Sequence, residues 1–211
     1  MLPRHSWVWL SPEAWQEASH ALQPAEQAVC REWQSKDWPL VVRRQIAAPG
    51  QVGVGLGLPP NPANGQKSKI SMSCELTGIV RQQSPLLLRQ ALNSAPQAWQ
   101  AGLAALDQAL AAQGIEVEVY GSLAWQAMTG REYLHGDSDI DLSLPLSSRA
   151  QLEAAGEILK AAKLPLDGEL LFPMHQAVAW KEWFQSDAER VLVKQEQAYL
   201  CPRERLLECL A

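Results

Sequence analysis

Between Gly136 and Leu144 the chain reads Gly-Asp-Ser-Asp-Ile-Asp-Leu-Ser-Leu. Asp139 and Asp141 alternate with Ile140, Leu142 and Leu144. A β-strand points residues i and i+2 to one face and their neighbours to the other. The two carboxylates therefore project together from one side, and the three aliphatic side chains anchor the strand in a core. Adjacent ionised carboxylates repel, so they coexist best with a cation between them. Hard carboxylate oxygens point to Mg²⁺, which binds one or two carboxylates and substrate phosphates together, with Mn²⁺ as the alternative.

Two plainer readings compete. A solvated acidic loop would need no alternation with Ile140 and Leu142. An EF-hand calcium loop counted from Asp137 would need Gly at its sixth position and Glu at its twelfth, which here are Leu142 and Ser148. Neither fits.

Upstream, Ile115-Glu-Val-Glu-Val-Tyr120 alternates as a strand and runs into Gly121-Ser122, then the helical stretch Leu123–Met128. Gly-Ser between a strand and a helix start is a phosphate-binding arrangement. Glycine lets backbone come close, Ser122 offers a hydroxyl, and the first helical N–H groups face the anion. Alone it is no more than a turn; ahead of an Asp-x-Asp strand it gains weight.

The combination resembles the DNA polymerase β-like nucleotidyltransferase superfamily, with Gly121, Ser122, Asp139 and Asp141 at the motif positions. The resemblance implies an α+β fold, a mixed sheet flanked by helices, and a third carboxylate from a later strand. In Leu166-Asp-Gly-Glu-Leu-Leu-Phe172, Glu169 is preferred as that metal ligand and Asp167 is the alternative.

The rest of the chain suits a compact enzyme. It has 211 residues, enough for one large or two small domains, and is 47% hydrophobic. No apolar run is long enough to span a membrane, and the first residues lack the order of a signal peptide. Cys30, Cys74, Cys201 and Cys209 have no metal-type spacing and read as reduced thiols, so a cytoplasmic protein is expected. A net charge of −5 argues against a chain held to nucleic acid by bulk charge.

Composition changes near residue 80. Residues 1–80, rich in Trp, Pro and Gly, suggest a smaller N-terminal α/β domain with short strands such as Trp38–Arg43. The resemblance makes residues 81–211 the expected nucleotidyltransferase catalytic domain. A helix is predicted from Ser94-Ala-Pro96 to a stop at Gly114, and another from Ser147 or Ser148 to near Lys163. Strands are predicted at 166–172, 176–183 and 190–194, and a last helix at Pro202–Leu210. Trp7, Trp9, Trp15, Trp33 and Trp38 are read chiefly as core anchors. His135 is read as a surface loop residue.

The run Gly53-Val-Gly-Leu-Gly57 introduces no periodic helix and is not a dinucleotide fingerprint. It reads as a flexible hairpin or turn, or as a loop bringing basic residues to a polyphosphate. Arg43 and Lys69 rank ahead of Arg44 and Lys67 for phosphate contact.

Taken over nearly the full length, the chain is similar to the phosphoribosyl-dephospho-CoA transferase family of bacterial malonate decarboxylase systems, the holo-acyl-carrier-protein synthases. The features are Arg4-His-Ser-Trp-Val-Trp-Leu10, Arg43-Arg44, Gly57-Leu-Pro-Pro60, the Asp139–Asp141 strand, Leu166–Leu170 and Val191-Leu-Val-Lys194. The resemblance implies a triphosphoribosyl-dephospho-CoA donor, a serine of the acyl-carrier protein as acceptor, and Asp139 and Asp141 as catalytic residues. It makes residues 1–80 a donor- or carrier-binding domain. Two other readings are an enzyme moving AMP from ATP to a small molecule or protein, and a non-catalytic carrier-protein adaptor.

Overall fold

The computed structural model describes residues 2–43, 48–195 and 197–211. It divides into two compact units, one of residues 1–85 with Arg131–Tyr133, the other of residues 86–130 and 134–211.

Alternating apolar residues make the first unit a five-stranded antiparallel sheet with two helices. Its elements are β1 (Trp7–Leu10), α1 (Pro12–Ser19), α2 (Pro24–Ser35), β2 (Leu40–Val42), β3 (Gln51–Gly57), β4 (Lys69–Glu75) and β5 (Ile79–Gln83), in sheet order β4-β3-β2-β1-β5. Ser11 caps α1 by accepting from the Ala14 N–H at 3.1 Å, with Pro12 at the first helical position. Trp7, Trp15 and Trp33 are buried, and Trp38 meets Trp33 edge-on with ring centroids 4.9 Å apart. Trp9 is only partly buried and lies under the Arg81 guanidinium, 3.9 Å from the ring centroid.

The glycine run forms the hairpin that the sequence allowed, as one of its strands and not as a turn or loop. Gly53, Gly55 and Gly57 lie in β3, which pairs with β4 over seven residue pairs from Gln51–Glu75 to Gly57–Lys69. It is a strand of a hairpin, and the loop follows it. A Cβ at Gly55 would stand 2.7 Å from Cδ of Arg43 and 2.8 Å from the Ile70 carbonyl oxygen. The glycine therefore leaves room for an arginine stem to cross the strand.

The second unit carries a seven-stranded mixed sheet. Its elements are β6 (Leu86–Leu87), α3 (Leu88–Ala91), α4 (Gln97–Ala111), β7 (Glu118–Tyr120), α5 (Gly121–Thr129), β8 (Ile140–Pro145), α6 (Arg149–Ala161), β9 (Leu166–Phe172), β10 (Gln176–Ala179), α7 (Trp180–Gln185), β11 (Arg190–Lys194), β12 (Ala198–Pro202) and α8 (Arg203–Leu207). Sheet order is β12-β11-β10-β9-β8-β7-β6, with β8 and β9 parallel and the other pairs antiparallel.

β9 and β11 have the predicted bounds. Ser148 caps α6 by accepting from the Gln151 N–H at 3.2 Å. The strand predicted over 176–183 is half helix: β10 stops at Ala179, and α7 takes Trp180–Gln185 with Trp180 and Trp183 buried. Residues 198–201, unassigned in the sequence, form the edge strand β12 together with Pro202, and the predicted last helix covers Arg203–Leu207.

The sheet has two unlike faces. Ile140, Leu142, Leu144, Leu166, Leu170 and Phe172 alternate onto one face and are buried, with the Phe172 ring tilted against Trp183 of α7, centroids 5.0 Å apart. The opposite face carries the polar residues of the same strands. Among the described residues no helix is long and apolar enough to cross a membrane.

Candidate active site

The strand β7 passes into α5 without a spacer. Tyr120 is the N-cap and makes no side-chain cap bond. Gly121 follows at φ +64°, in the left-handed region that disfavours other residues. A Cβ at this position would also overlap Oδ2 of Asp141. The glycine thus lets the Asp141 carboxylate sit at the first turn of α5, where helix N–H groups favour negative charge. Ser122 is buried in that turn.

Strand register collects the acidic side chains. Tyr120 of β7 pairs with Asp141 of β8, and Asp141 pairs with Asp167 of β9. In the adjoining row Glu118, Ser143 and Glu169 pair in turn. Paired residues share a face, so Glu118, Asp141, Asp167 and Glu169 stand on the polar side together. Asp139 is exposed on the residue before β8. Burial, and secondarily the charge of Glu116, raises the Glu118 pKa above the ordinary carboxylate value.

The two candidates for a third carboxylate differ in their surroundings. Asp167 is half-exposed and lies beside Asp141 in register. It accepts from the Gly168 N–H at 2.9 Å and stands 3.4 Å from Nζ of Lys181. Glu169 is 4% exposed and accepts from Nζ of Lys194 at 2.9 Å. Register sets Asp167 beside Asp141 and Glu169 one row away, with Lys194 on it. The Cα of Gly168 packs so tightly on the Leu142 backbone that a Cβ would overlap its carbonyl, which brings β9 close to β8.

The donor set suits a hard cation, because Asp139, Asp141 and Asp167 offer carboxylate oxygen only. Among the described residues no group of three or more His, Cys, Asp or Glu side chains forms a metal cage. Mg²⁺ does not demand one, since water and phosphate complete its octahedron.

The basic candidates belong to the first unit. Arg43 donates its N–H to the Gly53 carbonyl at 2.9 Å, and Lys69 opens β4 opposite Gly57. That register puts Arg43, the β3 glycines and Lys69 on one face of the sheet. Lys67 is exposed in the preceding loop. Arg44 lies outside the described residues. Lys181, Lys194 and Glu118 escaped the sequence reading. Lys194 ends the alternating run Arg190–Lys194, which the sequence reading used as a strand and a family feature without giving the lysine a site role.

Comparison with known proteins adds a family to this geometry. Residues 87–203 match the family described as phosphoribosyl-dephospho-CoA transferase MdcG C-terminal domain, and residues 3–85 match its N-terminal domain. The chain belongs to the phosphoribosyl-dephospho-CoA transferase family. It is similar to the phosphoribosyl-dephospho-CoA transferase of Xanthomonas campestris pv. campestris strain 8004, with 38% identity over 98% of this chain and 97% of the relative. The transferase of Bradyrhizobium diazoefficiens is 31% identical over 97% and 92%, and that of Pseudomonas putida 39% identical over 74% of each. No solved structure matches. Membership in this transferase family makes the chain a transferase enzyme.

Proposed function

We propose that this chain moves the phosphoribosyl-dephospho-CoA group from its triphosphate precursor onto a serine of the malonate decarboxylase acyl-carrier protein, releasing pyrophosphate. The observation that carries the reading is the seating of Asp141 against Gly121 at the start of α5, with Asp167 beside it in register. A polyphosphate and a hydroxyl nucleophile need that combination of carboxylates and a helix start.

In this reading the serine Oγ bonds to the α-phosphorus of the donor. The bond from that phosphorus to the bridging oxygen breaks, and pyrophosphate leaves with the electron pair. Asp167 takes the serine proton, as a carboxylate within reach of the acceptor can. Gly121, Ser122 and the first turn of α5 orient the phosphates. Asp139 and Asp141 would hold a divalent cation such as Mg²⁺, which would supply charge neutralisation at the phosphate oxygens and a lower pKa for the hydroxyl. We assign binding of the donor or carrier to the N-terminal unit, with Arg43 and Lys69 as phosphate contacts. The free thiols accord with a cytoplasmic enzyme.

The test is mass spectrometry of the apo carrier subunit after incubation with this protein, Mg²⁺ and the triphosphoribosyl-dephospho-CoA donor, with an ATP-only reaction in parallel. A mass gain equal to the phosphoribosyl-dephospho-CoA arm is expected, and Asp139→Asn or Asp141→Asn should abolish it with the circular dichroism spectrum retained. A gain equal to AMP in the ATP arm alone would replace this reading with adenylylation. Absence of any modification in either arm would favour an adaptor.

A further inference from the structure

The pair formed by Lys194 and Glu169 is built in an unusual place. Glu169 is 5% exposed by its side chain, Lys194 32%, and the two meet at 2.9 Å. Burying such a pair rarely stabilises a sheet more than apolar residues of the same size would. Glu169 lies on β9, adjacent to the strand of Asp141, and Lys194 pairs with Ala177 of β10. Neighbouring strands are about 4.8 Å apart, so the ammonium is drawn inward across β10 to within one strand of β8. An ammonium has three donors. Glu169 takes one, and the Lys194 side chain is a third exposed.

We infer that Lys194, held in place by Glu169, binds the polyphosphate end of the donor and the pyrophosphate that leaves. Glu169 is then a positioning residue for Lys194 and not a metal ligand. The inference deepens the function proposed above and rests on it for the identity of the donor. Lysine suits the task as a compact point charge that tolerates changing phosphate geometry. As the bridging bond breaks, negative charge grows on the leaving pyrophosphate, and a fixed ammonium stabilises that charge without moving a proton. Lys181 beside Asp167 gives the same face a second cation.

Calorimetric titration of the full chain with inorganic tripolyphosphate and Mg²⁺ tests the idea without any transfer reaction. Lys194→Met should weaken binding by about tenfold, the loss of one charge-assisted hydrogen bond. Lys194→Arg should recover most of it. Glu169→Gln should weaken it less, and the Lys194→Met, Glu169→Gln double variant no more than Lys194→Met alone. The double variant leaves no unpaired charge and carries the comparison if Lys194→Met does not fold. Tripolyphosphate binding by folded Lys194→Met within about twofold of the unaltered protein would overturn the proposal. So would loss of Mn²⁺ binding, read by electron paramagnetic resonance, in Glu169→Gln alone, because that outcome makes Glu169 a metal ligand. Failure of the unaltered protein to modify the carrier would sink the assigned donor and leave these binding results readable by themselves.

Discussion

Gly121 is under two constraints at once, a φ of +64° and the approach of Asp141 Oδ2. An alanine there meets left-handed strain of about 1–2 kcal/mol and must also displace the carboxylate. Gly121→Ala is expected to lose transfer activity far more than thermal stability, and a mass-spectrometric assay beside a melting curve will separate the two. His5 offers a different residue-scale test. Burial, then the charge of Arg4, lowers its pKa to about 3. The folded state holds it neutral while the unfolded chain protonates near the ordinary value of 6.5. Between those values the unfolded state binds the extra proton, so stability falls as pH drops from about 6.5 towards 3. His5→Gln should flatten that part of a stability-versus-pH profile from urea unfolding.

At the scale of elements, Ser148 closes the start of α6 by its bond to the Gln151 N–H. Ser148→Ala should cost about 0.5–2 kcal/mol, seen as a lower urea midpoint with an unchanged slope. This helix was legible from its cap, and β9 and β11 from their alternation. The failures have physical causes as well. Trp180–Gln185 continues the apolar character of β10, and a short apolar run does not distinguish strand from helix. Glycines in β3 suggested a flexible hairpin or turn, because the stem of Arg43 that crosses Gly55 comes from just beyond β2 and leaves no local trace. Within the site, the places of Asp141 and Gly121 were readable in the motif spacing. The place of Asp167 depends on parallel register between β8 and β9, which one strand cannot reveal. The lysines on Asp167 and Glu169 are tertiary pairings of the same kind.

For the molecule as a whole, the separation of the two faces of the larger sheet predicts how metal removal will act. The buried apolar face holds Ile140, Leu142, Leu144 and Phe172, and the carboxylates stand on the other. Chelation by EDTA should therefore stop carrier modification while leaving the melting curve nearly unchanged, and added Mg²⁺ should restore transfer. A collapse of the melting transition on chelation would mean that the cation is structural.

Tyr133 extends this view from space to time. It is buried, belongs to the first unit, and donates its hydroxyl to the Gly57 carbonyl at 2.9 Å. Arg131 of the same short segment lies over Trp38, 5.4 Å from the ring centroid. On a ribosome, the first unit therefore remains incomplete when Pro85 emerges. Its last pieces arrive only after β7 and α5 have been synthesised, so a fragment cut between the two family matches would lack part of its own fold.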